Sequence, residues 1–132
     1  MTARYPQSIM RQMATRTSPG PAEYARLAVD VASDRQASDI VMLDIRDVSD
    51  FADYFVILTA ESPRQVDALV QEIEKALKEQ GATLSHREGG VSGGWVLLDF
   101  GDVIVHLFRP EDRLFYHLEG LWSDAVETVR IQ

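Results

Sequence analysis

Asp99 and Asp102 flank the dipeptide Phe100-Gly101, and two carboxylates at this spacing could bind a divalent metal. Acidic residues at tight turns more often accept hydrogen bonds from the backbone, which is the interpretation we favour here. Asp99-Phe100-Gly101 also spells the metal-binding triplet of protein kinases, but no other kinase motif accompanies it. The two aspartates are therefore interpreted as turn residues, and no metal is predicted.

The remaining candidates for catalysis also have structural explanations. His86, His106 and His117 are not spaced to place two imidazoles on one helical face, as a zinc site would need. Strand alternation groups His106 with apolar neighbours, which favours a hydrogen-bonded structural histidine over a catalytic base. Ser62 is explained by helix capping, and the chain has no cysteine. The sequence predicts no enzyme activity and no cofactor.

The pattern around these residues predicts a layered α/β domain. Ser62 and Gln65 form a predicted capping box that opens an amphipathic helix, and Gly81 ends it. Two apolar strands, 95–99 and 103–108, form a predicted hairpin around Phe100-Gly101. The element order α-β-β-α-β-β-β-α predicts a mixed five-strand sheet flanked by helices. We expect residues 1–20 to be a flexible N-terminal tail, 21–124 to be the domain, and 125–132 to be a C-terminal tail or edge segment.

Charge is distributed unevenly along the chain. Residues 1–20 contain three arginines and no acid, whereas the rest carries ten Lys/Arg and 21 Asp/Glu, a net charge of −11. Such a domain repels phosphate backbones, so direct nucleic-acid binding is not expected. The acidity either keeps the protein soluble or attracts a basic protein partner. With no apolar run of membrane-spanning length, we expect a cytoplasmic protein that does not contact membranes.

Several segments together resemble the Iojap family, the ribosomal silencing factors (RsfS). The resemblance covers about residues 21–124 and rests on the order and spacing of the following stretches: Asp39-Ile40-Val41-Met42-Leu43-Asp44, Asp53-Tyr54-Phe55-Val56-Ile57, Ser62-Pro63-Arg64-Gln65-Val66, Glu88-Gly89, residues 95–106 and residues 113–122. Ala60, where the family usually has glycine, and Gly120 depart from the pattern.

The resemblance implies a particular function. Members of the family it resembles bind a basic protein of the large ribosomal subunit, uL14, at the face that meets the small subunit. They repress translation by blocking subunit joining. It also implies a fold similar to that of nucleotidyltransferases. Those enzymes use a Gly-Ser motif followed by an Asp-x-Asp metal pair, and this chain has neither.

We predict an acidic, aromatic docking surface in which the aromatic residues are buried by the partner and the acids pair with its Lys/Arg. Trp95 and Trp122 could equally be core residues, and the sequence leaves that choice open. Two other functions remain as alternatives, a metal-dependent nucleotidyltransferase-like enzyme and a dimerisation or interaction module without a ribosomal role. A homodimer is possible in either case. The predicted partner-binding residues are Trp95, Asp99, Asp102, Tyr116, Glu119 and Trp122.

Overall fold

The fold is known from a computed structural model that describes residues 19–90, 93–117, 120 and 124–132. The predicted N-terminal tail lies almost wholly outside these residues. Within these residues, three helices and six strands follow one another in the order α-β-β-α-β-β-β-α-β. In chain order they are α1 (Pro21–Asp34), β1 (Ser38–Asp44), β2 (Tyr54–Thr59), α2 (Pro63–Glu79), β3 (His86–Glu88), β4 (Trp95–Asp99), β5 (Val103–Phe108), α3 (Pro110–Tyr116) and β6 (Val126–Ile131).

The strands form one mixed sheet in the order β3-β4-β5-β2-β1-β6. β2 and β5 run parallel at its centre, and every other neighbouring pair is antiparallel. Both central strands are buried at all six positions, as their continuous apolar sequences predict for strands covered on both faces. The predicted mixed sheet flanked by helices is confirmed.

The sheet has one strand more than predicted. β6 pairs antiparallel with β1, with Ile40 opposite Ile131 and Asp44 opposite Val126. The six residues of β6 are exposed or half-buried and have no continuous apolar run, so they carry little of the signal that marks an interior strand. The segment expected as a tail or edge segment is an edge strand.

The hairpin turn also differs slightly from the prediction. The Phe100 amide donates a hydrogen bond to the Val103 carbonyl (2.9 Å), so Gly101 and Asp102 are the two turn residues. Gly101 has a φ of +92°, which the first position of such a turn requires and which glycine adopts without strain. The register therefore pairs Trp95 with Phe108 and Leu97 with His106.

Helices α1 and α2 cover one face of the sheet. The predicted apolar stripe of α2 is buried there, against the side chains of β2 and β5 that point the same way. The other face carries a second apolar cluster that includes Phe55, Ile104 and Phe108. In the described residues, no helix is both long and apolar enough to span a membrane.

Ser62 caps α2 as predicted, since its Oγ accepts a hydrogen bond from the Gln65 amide (3.1 Å). The reciprocal half of the capping box is displaced by one residue, because the Gln65 side chain accepts from the Glu61 amide (2.7 Å). It also donates to the carbonyls of Arg35 and Gln36, joining the start of α2 to the end of α1.

Removing this cap should destabilise the fold measurably. We expect Ser62→Ala to lower the free energy of unfolding by about 1 kcal/mol, because the Gln65 amide loses its acceptor. Ser62→Gly should lower it by only a few tenths of a kcal/mol. Urea denaturation of the three proteins measures the difference. Equal midpoints for Ser62→Ala and the wild type would contradict the capping role.

Candidate partner-binding surface

An aromatic cluster lies on the sheet face opposite α1 and α2. The Trp95 ring stacks on Phe108, with ring centroids 4.9 Å apart. It also contacts Tyr116 of α3, with ring centroids 4.6 Å apart. Phe108 is fully buried, Trp95 is half-buried, and Tyr116 is 42% exposed. The cluster thus runs from the core to the surface, so Trp95 both packs inside the protein and remains accessible.

The exposed part of the cluster borders a groove of about 290 Å³. Leu97 follows Trp95 at strand spacing and therefore lines the same face of β4. The carboxylate of Glu88 lies at the groove and is paired with His86 (3.1 Å). We call this feature the aromatic groove; it is lined by Glu88, Gly89, Gly93, Trp95, Leu97 and Tyr116.

Two glycines allow the chain to pass close to Trp95. Gly89 has a φ of +83°, and a Cβ there would lie 2.1 Å from the Trp95 carbonyl oxygen. Gly94 also has a φ of +83°, and a Cβ there would lie 2.2 Å from an Asp112 carboxylate oxygen. A side chain at Gly89 would force the backbone at Trp95 to move, whereas one at Gly94 would displace the Asp112 carboxylate, and the positive φ favours glycine at both positions.

His106 lies beneath the aromatic groove. It is 3% exposed, and its Nδ1 accepts a hydrogen bond from the indole Nε1–H of Trp95 (3.2 Å). Phe55 meets the imidazole edge-on, with ring centroids 4.7 Å apart. Burial lowers the pKa of His106 to about 4, so the ring is neutral near pH 7. The prediction of a hydrogen-bonded structural histidine is confirmed.

A buried arginine holds α3, and with it Tyr116, against the sheet. The guanidinium of Arg113 donates to the Thr59 hydroxyl (2.8 Å) and to the Asp39 carbonyl oxygen. α3 ends at Tyr116, and the next residue, His117, has a φ of +47°, in the left-handed region typical of helix ends.

A second cleft, of about 400 Å³, lies on a different side of α3. It is larger than the aromatic groove, but its walls mix acidic, basic and apolar residues. The buried Arg113 guanidinium beside it already donates hydrogen bonds to Thr59 and Asp39. We therefore place the candidate site at the aromatic groove, which contains two of the predicted residues.

Asp99 and Asp102 lie at the other end of the hairpin. Trp95 and Asp99 are four residues apart on one strand, which is about 13 Å, and their side chains share one face of the sheet. An Asp99 carboxylate oxygen accepts from the Gly101 amide (2.7 Å), which confirms its role in the turn. Asp99 is half-buried and Asp102 exposed, so both carboxylates reach solvent.

Further acids lie along the same end of the sheet. The Asp102 carbonyl accepts hydrogen bonds from the amides of Asp53 (2.8 Å) and Tyr54 (3.0 Å), and Tyr54 lies opposite Asp44 on β1. A hydrogen bond from the Arg46 guanidinium (2.6 Å) lowers the pKa of Asp44. We call this end the acidic end of the sheet; it comprises Asp44, Asp53, Asp99 and Asp102.

The structure therefore divides the predicted site residues into two groups. Trp95 and Tyr116 meet at the aromatic groove, and Asp99 and Asp102 belong to the acidic end. Glu119 and Trp122 lie outside the described residues. Leu97 and Glu88 are not among the residues predicted from the sequence, although the position of Leu97 two residues after Trp95 was a usable signal. Within the described ranges, no three His, Cys, Asp or Glu side chains are grouped closely enough to hold a metal ion.

Fold and surface together define a small α/β domain with an aromatic groove and an acidic end on a mixed sheet. Comparison with known proteins assigns its family. Residues 18–132 match the family model described as RsfS, ribosomal silencing factor during starvation. The chain belongs to the ribosomal silencing factor family.

Similar proteins agree in sequence and in fold. A ribosomal silencing factor RsfS from Halalkalibacterium halodurans is 41% identical over 103 residues, covering 78% of this chain and 88% of the relative. A mouse protein named mitochondrial assembly of ribosomal large subunit protein 1 is 32% identical over 117 residues, covering 82% of this chain and 51% of the relative. The crystal structure of a Chromobacterium violaceum protein superposes with a TM-score of 0.76 at 36% identity, covering 80% and 88% of the two chains.

Proposed function

We propose that this protein regulates translation by binding a basic protein of the large ribosomal subunit, uL14, at the face that meets the small subunit. While bound there, it blocks subunit joining sterically. The proposal places the protein in the cytoplasm and assigns it no enzymatic step. The observation that carries it is the aromatic groove, where the half-buried Trp95 and the exposed Tyr116 lie 4.6 Å apart between rigid elements.

The arrangement of this surface suits a basic protein partner. Exposed tryptophan and tyrosine side chains are frequent anchors of protein interfaces, because they bury a large area at little cost in side-chain entropy. Asp99 of the acidic end lies on the same face of β4 as Trp95, about 13 Å from it, which is within the span of an ordinary protein interface. Carboxylates there would pair with the partner's Lys/Arg, while the overall negative charge repels ribosomal RNA.

Steric exclusion follows from size alone. A globular chain of this length has a radius of gyration of about 14 Å. A body of that size cannot fit between two surfaces that must come into direct contact. The mechanism needs no conformational change and no bound nucleotide.

The proposal is tested by sedimenting the purified protein with separated ribosomal subunits through a sucrose gradient. We expect the protein to travel with the large subunit and not with the small one. Added in excess before the two subunits are mixed, it should reduce the peak of whole ribosomes. Migration with neither subunit, or an unchanged ribosome peak despite bound protein, would overturn the proposal or its steric mechanism respectively.

Neutralising the acidic end should weaken this binding mainly through the association rate. We expect Asp99→Asn/Asp102→Asn to bind large subunits about 3- to 10-fold more weakly at low salt, with a smaller difference at high salt, because rim charges steer encounter and are screened by ions. Asparagine can still accept the Gly101 hydrogen bond, so the turn is preserved. Association kinetics at two salt concentrations measure the effect.

The matched control is Glu74→Gln/Glu79→Gln. It removes the same two charges from α2, on the opposite face of the sheet. If both double variants slow association equally, the effect belongs to net charge, and the acidic end is not part of the interface.

We also propose that self-association competes with ribosome binding if the homodimer uses the aromatic groove. In that case dilution promotes binding to the large subunit, because monomers with a free groove accumulate. Binding measured across a range of protein concentrations tests this competition. An affinity independent of protein concentration counts against a shared surface.

A further inference from the structure

The buried His106 is joined to the aromatic groove by one directional contact. Its imidazole is 3% exposed, on the central strand β5, and Trp95 lies diagonally across on β4. The indole N–H can only donate a hydrogen bond, so the Nδ1 atom it contacts at 3.2 Å must carry a lone pair. The contact therefore fixes the imidazole tautomer, with the proton on Nε2.

That tautomer leaves a buried donor unused. Among the described residues, no acceptor lies within hydrogen-bonding distance of His106 Nε2. A buried donor without a partner destabilises a fold, and an apolar side chain of similar shape would avoid the penalty. Among the described residues, nothing at Nε2 therefore favours histidine over an apolar side chain. Leucine could make neither the hydrogen bond with Trp95 nor the edge-on ring contact with Phe55, and only the hydrogen bond reaches the groove.

Among the described contacts of the indole, the hydrogen bond to His106 is the directional one. Trp95 is stacked on Phe108 and lies beside Tyr116, and ring contacts of this kind tolerate rotation more readily than a hydrogen bond does. Its half-exposed edge forms a wall of the aromatic groove. A rotated indole would change the shape of the groove that a partner meets.

We propose that His106 is a positioning residue that holds the Trp95 indole in the orientation its partner recognises. This inference rests on the proposed function, in which Trp95 is an anchor of the interface. His106 does not touch the partner, because it is covered by the aromatic side chains around it. It raises the affinity for the partner because a preformed binding surface does not have to be ordered on binding.

Three variants test the assignment. His106→Leu removes the acceptor and keeps a buried apolar side chain. His106→Asn places an amide oxygen near the position of Nδ1 and can accept the indole N–H. Trp95→Phe keeps an aromatic ring but removes the donor. Urea denaturation establishes which variants are folded before their affinities are compared.

We expect His106→Leu to lower affinity for large subunits about ten-fold and His106→Asn to restore part of that loss. In a Trp95→Phe background, His106→Leu should have almost no further effect, since the hydrogen bond is already absent. An equal loss in both backgrounds would show that His106 acts through the fold in general, and the proposal would be wrong.

The indole N–H resonance of Trp95 gives a readout that needs no partner. It is identified as the resonance lost in Trp95→Phe. We expect it to shift in His106→Leu and to stay near its wild-type position in His106→Asn. An unchanged resonance in His106→Leu overturns the positioning role even if large subunits bind. If wild-type protein fails to bind large subunits while the resonance shifts as expected, the proposed function fails and the hydrogen bond stands.

Discussion

Trp95→Ala is expected to lower the affinity for isolated large ribosomal subunits by roughly 30- to 1,000-fold, corresponding to a loss of about 2–4 kcal/mol. The indole forms a wall of the aromatic groove, so its removal deletes the largest side chain that lines the groove and opens the space above Phe108. The loss should appear chiefly in the dissociation rate, because the charges that steer association are unchanged.

Val126→Ala is the matched control for this truncation. Val126 is also an exposed apolar residue, 56% accessible, but it lies on β6, four strands away from β4 across the sheet. We expect its affinity to equal that of the wild type. A folded Trp95→Ala protein that sediments with large subunits as tightly as the wild type would remove Trp95 from the interface.

Acidification is expected to destabilise the protein through His106. Its pKa is lowered to about 4 in the folded state, against an ordinary value of 6.5. The unfolded chain therefore takes up a proton that the folded protein excludes as pH falls below about 6.5, and stability declines until about pH 4. The difference in pKa corresponds to a loss of about 3 kcal/mol over that interval.

His106→Leu isolates this contribution, because every other titratable group is common to both proteins. We expect the wild type to lose about 3 kcal/mol more than the variant between pH 7 and pH 4, as measured by urea denaturation at a series of pH values. Parallel stability curves for the two proteins would mean that the imidazole is not excluded from protonation by burial.

Local sequence signals were sufficient for most of the fold. α2 was predictable because its cap, apolar stripe and final glycine agree. β2 and β5 were predictable because a continuous apolar run is typical of a strand covered on both faces. β6 was not, because an edge strand needs neither an apolar run nor strict alternation.

The candidate site was less predictable because it depends on the register of the β4–β5 hairpin and on how α3 packs back against the sheet. Trp95 and Tyr116 are 21 residues apart in sequence, and their contact requires the buried Arg113 to hold α3 against the ends of β1 and β2. The hydrogen bond between Trp95 and His106 depends on a hairpin centred on Gly101 and Asp102. Centring the turn one residue earlier would place the two side chains directly opposite each other.

The two edge strands of the sheet, β3 and β6, are short or charged. β3 is only three residues long, His86-Arg87-Glu88, and all three side chains are hydrophilic; β6 bears an ion pair between Glu127 and Arg130 (2.9 Å). Short or charged edge strands offer a strand of another chain few positions for pairing, which disfavours amyloid-like stacking. The described edges of the sheet therefore disfavour strand pairing between copies of the chain, even though the aromatic groove is exposed.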